Sequence, residues 1–252
     1  MSVGKEDLEK LKKDGIKTLL FDWDGCIVRK GQKPHLVVFT SVCKILELCG
    51  VDLDYAYKTY TGKLHGIDWY LLMWEGIKDY FEQEEHEQKL TEFRRLVKEV
   101  SKEILEKGNF EKIEPLSGAI EFIRNANEVF GPENCVVVTA TPTGIANIML
   151  RATELEDCFH PQIFGCEKLM LEDEKTILEK SCPHIWKMAA KEAGSSLSSA
   201  MIIEDSMQTL NWASNDSQVP AVISLNQDAR KFDPKKPFWC ATKTGDWKSL
   251  TN

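Results

Sequence analysis

Apolar positions follow two different rhythms along this chain. Residues 16–21 form an unbroken β-prone run that stops at Asp22-Trp23-Asp24-Gly25, the pattern of a buried strand. Helical spacing then takes over. Residues 36–49 read as a helix closed by Gly50, and 54–60 as a short one stopped at Gly62. Residues 67–81 carry Trp69, Tyr70, Met73, Trp74 and Ile77 at helix-compatible intervals. Leu90, Phe93, Val97, Val100 and Ile104 recur at 3, 4, 3 and 4 residues, an amphipathic helix ending near Gly108.

Beyond that point strands and helices alternate. Helices are predicted over 118–130, 143–153 and 183–193. Strands are predicted over 135–138, ending at Thr139, over 200–203, ending at Glu204-Asp205, and over 219–225, with a short apolar segment at Ile163-Phe164. Such alternation implies an α/β fold, a doubly wound and mostly parallel Rossmann-like sheet. The expected division is a core of 1–30 and 112–252 with an inserted helical cap domain, 31–111. Parallel strands share a C-terminal edge, so the polar residues that end them converge there.

Composition narrows the function classes. A net charge of −8 with no basic block argues against a nucleic-acid partner. No run reaches the roughly eighteen apolar residues of a membrane span, and residues 1–14 lack the apolar stretch of a signal peptide. Eight cysteines include no Cys-x-x-Cys pair, as in a reduced, cytoplasmic protein. None of the five histidines has a His or Cys partner at i+3 or i+4, so none is assigned to a metal.

The chemistry lies at the strand ends. Asp22 and Asp24, at i and i+2, share one face if the strand continues, and Gly25 lets the chain turn so that both address one site. One carboxylate can then serve as nucleophile or metal ligand while the other handles protons. A calcium loop also opens Asp-x-Asp, but its sixth and twelfth positions hold Ile27 and Lys33 here, not Gly and Glu. Thr139 and the Ala140 amide precede a helix N-terminus, suited to a phosphate. Lys180 lies just before the helix at 183, and Glu204-Asp205-Ser206 closes a strand. One lysine, a threonine and several acids suit phosphoryl transfer through an aspartate.

In this order and spacing, Asp22-Trp-Asp24-Gly, Thr139, Lys180 and Glu204-Asp205-Ser206 resemble the four motifs of the haloacid dehalogenase superfamily. The helical insert resembles its helical-cap phosphatase and phosphoglucomutase-like group. The resemblance implies that Asp22 attacks phosphorus to form an aspartyl-phosphate. Asp24 would then protonate the leaving oxygen and activate water. It further implies a Mg²⁺ held by Asp22, the Asp24 carbonyl and Asp205, with Glu204 a further ligand or a partner of Lys180. Gly25, Thr139, Ala140 and Lys180 would bind the phosphate. Lys168, Lys175 and Lys187 are alternatives for the lysine.

The expected activity is a Mg²⁺-dependent phosphatase acting on a small phosphorylated metabolite, as a monomer or homodimer. Two alternatives stand beside it: a phosphosugar mutase, and a non-catalytic phospho-ligand binding module. Where the family has an acidic residue followed by Ser or Thr soon after the first motif, this chain has Val28-Arg29-Lys30, which disfavours the mutase. Between two predicted helices, Gly62-Lys63-Leu64-His65-Gly66 is either a cap loop whose Lys63 and His65 touch substrate or an ordinary solvated loop.

Overall fold

A computed structural model describes residues 3–29, 35–48, 74, 77–110, 112–169, 180, 183–231, 236–242 and 247–251. The strands are β1 (Thr18–Phe21), β2 (Cys135–Val137), β3 (Ala200–Glu204), β4 (Ala221–Ser224), β5 (Phe238–Thr242) and β6 (Leu250–Thr251). The helices are α1 (Lys5–Lys13), α2 (His35–Glu47), α3 (His86–Lys107), α4 (Ala119–Phe130), α5 (Thr143–Ala152), α6 (Pro183–Glu192) and α7 (Met207–Asn215).

Every residue of β1, β2, β3 and β4 is buried. Continuous burial, in place of alternation, is what a parallel sheet covered on both faces demands, and it explains the unbroken apolar runs. The sheet order is β2-β1-β3-β4-β5-β6, parallel from β2 through β5, with only β6 antiparallel. The chain therefore crosses from one side of β1 to the other between β2 and β3. In open α/β sheets such a reversal marks the ligand-binding crevice, here beyond the carboxyl ends of β1, β2 and β3.

Among the inserted helices, α2 packs on α3, and α3 packs on α5. The last contact is close: a Cβ on Gly144 would lie 2.8 Å from the Ser101 Cβ, so glycine there lets the two helices touch. Phe93, Leu96, Val97, Val100 and Ile104 form the buried stripe of α3. Trp74 is buried and stacks on Phe81 at 5.6 Å, a packing role for that aromatic. The predicted helix at 54–60, most of that at 67–81 and the loop with Lys63 and His65 lie outside the described residues.

The structure also departs from the sequence reading. Ile163-Phe164 forms no strand, only a single bridge between Phe164 and Val138. Four elements were not anticipated: α1, α7, β5 and β6. α1 has just two buried anchors, Leu8 and Leu11, amid charges. β5 is half covered at its first two residues, so it lacks the continuous apolar run that marks its neighbours.

Candidate active site

The strand carrying the first motif ends at Phe21, one residue before the acids. Asp22 still extends the ladder, its amide donating to the Ile203 carbonyl at 2.9 Å. Asp24 reaches the site from a turn, not from the strand face. Gly25 sits at φ 89°, a left-handed conformation that side chains disfavour, and its amide donates to the Val28 carbonyl at 2.7 Å. The Cys26, Ile27 and Val28 amides all donate to the Trp23 carbonyl, winding the turn tightly. Trp23 is wholly buried and meets Phe159 edge to face, a packing role.

Asp22 is 5% exposed, and the Lys180 ammonium bonds its Oδ1 directly. The same ammonium lies 2.9 Å from Glu204 Oε2. Glu204 Oε1 accepts from the Asp205 and Ser206 amides, each at 2.9 Å, so this carboxylate braces both the lysine and the loop after β3. Trp186 in α6 donates to the Lys180 carbonyl at 2.8 Å, and its ring lies 5.1 Å from the ammonium. Lys168 and Lys187 are exposed, and Lys175 lies outside the described residues.

Electrostatics in the cluster are strained by design of the donor set. Burial, and then the charge of Glu204, push the Asp22 carboxyl well above the usual carboxylate range despite Lys180. Burial alone would lower the Lys180 pKa, but Asp22 and Glu204 outweigh it and hold the ammonium above its ordinary value. Asp22, Glu204, Asp205 and Cys26 each offer one donor atom, all within 4.8 Å of one another. Two carboxylates about 5 Å apart repel by about 3 kcal/mol at an effective dielectric of about 20. Beside three ionised carboxylates one lysine leaves two negative charges, which a divalent cation would balance. The oxygen-rich donors suit a hard cation such as Mg²⁺.

On the β2 side, Thr139 is buried, its Oγ accepting from the Thr141 amide at 3.1 Å, and Ala140 beside it is partly exposed. The N-terminus of α5 is already met by a protein carboxylate: Glu167 accepts from the Thr143 amide at 3.1 Å and from its hydroxyl at 2.9 Å. Asp24 Oδ2 accepts from the Thr141 hydroxyl at 2.8 Å.

Sequence reasoning missed Thr141, Glu167, Trp186 and the Cys26 thiol, which burial and the neighbouring acids push well above the ordinary thiol range. It also missed two braces: Asn226, whose side chain donates to the Asp205 carbonyl at 2.8 Å, and Trp247, whose indole donates to the Cys26 carbonyl at 2.7 Å. Each acts through a partner distant in sequence, so no local motif announces it.

The CbbY protein of Rhodobacter sphaeroides has a similar fold. Its complex with phosphate matches at TM-score 0.52 and 16% identity, over 89% of this chain and 93% of that one. A CbbY mutant with xylulose-(1,5)bisphosphate matches at TM-score 0.53 and 16% identity, over the same shares. A HAD hydrolase of family IA, variant 3, from Entamoeba histolytica matches at TM-score 0.45 and 17% identity, over 83% of each chain. No curated protein matches the sequence. The haloacid dehalogenase-like hydrolase profile matches residues 16–209, which run from β1 into α7 and include every strand end of the site. The chain belongs to the haloacid dehalogenase-like hydrolase family.

Proposed function

We propose that this protein is a phosphatase that hydrolyses a small phosphorylated metabolite through an aspartyl-phosphate on Asp22. One observation carries the reading. A buried carboxylate, Asp22, is held by a lysine at the crevice, while a second, Asp24, stands two residues on and is held separately by Thr141. Two carboxylates with separate partners can take separate roles.

Asp22 attacks phosphorus as the ester P–O bond breaks, and Asp24 gives its proton to the departing oxygen. Asp24 then takes a proton from water. That water attacks phosphorus and releases phosphate, returning Asp22 to the carboxylate. Lys180 keeps Asp22 oriented and offsets phosphate charge, and Glu204 keeps Lys180 in place. Thr139 and the Ala140 amide hold phosphate oxygens. Asp22, Asp205 and the Asp24 carbonyl would hold Mg²⁺, leaving Glu204 to the lysine; the ion would offset charge among the acids and the phosphate. CbbY, with the same fold, was crystallised with phosphate and with a sugar bisphosphate, which is consistent with a small phosphorylated ligand.

The test is phosphate release from a panel of phosphorylated metabolites with Mg²⁺, by wild type and Asp22→Asn. Wild type should turn over at least one of them, lose that activity in excess chelator and regain it with Mg²⁺. Asp22→Asn should fold normally and release none. Normal turnover by Asp22→Asn would refute the assignment, and phosphate moving within the substrate without release would identify a mutase instead.

A further inference from the structure

Thr141 is wholly buried beside the crevice and is held at several points. Its amide donates to Thr139 Oγ at 3.1 Å, its carbonyl accepts from the Cys166 amide at 3.3 Å, and its hydroxyl donates to Asp24 Oδ2 at 2.8 Å. Pro142 follows and fixes the backbone dihedral at the entry to α5. The hydroxyl is therefore a rigid donor, built on the β2 side and aimed across at an acid carried by the β1 turn, 117 residues away.

A hydroxyl that donates to one carboxyl oxygen biases the acid's proton to the other oxygen and fixes the carboxyl plane. General acid catalysis depends on that orientation, because the proton must lie within hydrogen-bond reach of the leaving oxygen. We propose that Thr141 is a positioning residue for Asp24: it selects the oxygen that carries the catalytic proton and aims it at the leaving group. The inference rests on the phosphatase reading above.

Leaving-group dependence separates this role from simple packing. A nitrophenolate departs with little help from an acid, whereas an alkoxide needs the proton. Turnover of p-nitrophenyl phosphate and of an alkyl phosphomonoester is measured with Mg²⁺ for wild type, Thr141→Val and Thr141→Ser. Valine matches the shape without the hydroxyl, and serine restores the hydroxyl without the methyl. Thr141→Val should lower kcat/KM, which reports only the steps through departure of the leaving group, by about 10- to 100-fold on the alkyl ester, within the range a general acid supplies, and by less than about threefold on the aryl ester. Thr141→Ser should recover most of the alkyl-ester rate. In an Asp24→Asn background, Thr141→Val should add no further loss, because the partner it aims is already gone.

Equal losses of kcat/KM on both esters, or a full further loss in the Asp24→Asn background, would overturn the positioning role while leaving the phosphatase reading intact. Wild type that hydrolyses neither ester nor any phosphorylated metabolite would remove the phosphatase reading, and this inference with it.

Discussion

Lys180 joins two acids at the ends of neighbouring strands. It is one cation against Asp22 and Glu204, both nearly enclosed by protein. Removing one partner of such a group leaves uncompensated buried charge, which costs more than the pair itself contributes. In metal-free protein, Lys180→Met should reduce stability by about 3–5 kcal/mol in urea unfolding, and adding Glu204→Gln should recover part of that loss. A change below about 1 kcal/mol would mean that solvent or a neighbouring group already screens the acids. At this scale the placement of a polar residue is legible where it closes an apolar strand, as for Asp22, Thr139, Glu204 and Asp205. A role is not legible where a contact alone confers it. Thr141 is an ordinary threonine before a proline until Asp24 is seen to accept its hydroxyl, and Cys26 is an ordinary small residue until it is seen among the acids.

The elements themselves follow the same division. β1, β2, β3 and β4 are readable because they are buried on both faces, and α3 because its buried stripe keeps helical spacing from Phe93 to Ile104. β5 begins on two half-covered aromatics, and α1 offers only two anchors, so neither produces a strong period. The short C-terminal segment has a structural task that its sequence does not disclose. Trp247 stacks on Phe122 of α4 at 4.1 Å and donates to the Cys26 carbonyl, tying the turn that holds Asp24 to the helix beneath it. Trp247→Phe keeps an aromatic ring and removes only the donor. It should lower stability by about 1–3 kcal/mol, the cost of an unpaired buried carbonyl. It should also reduce phosphate release, because the turn loses its anchor. Thermal unfolding alongside turnover checks both; an unchanged melting temperature would show that the Cys26 carbonyl finds another donor.

In the molecule as a whole, sheet order explains why motifs far apart in sequence share one site. Crossing from β2 over β1 to β3 puts three strand ends around one crevice, each with its polar residues at the carboxyl end. Alternating strands and helices indicate that such an edge exists. They do not state the strand order, which depends on contacts between residues more than a hundred positions apart. None of the described helices is long and apolar enough to cross a membrane.

The proposed hydrolysis stands on phosphorylation of Asp22. Asp24→Asn keeps that nucleophile but lacks the group that activates water, so it should accumulate the intermediate when given p-nitrophenyl phosphate and Mg²⁺. Acid quenching followed by peptide mapping should find one phosphoryl group, on the peptide containing Asp22, and none when Asp22→Asn is added to the same protein. A phosphoryl group on any other residue, or none despite p-nitrophenolate release, would rule out Asp22 as the nucleophile.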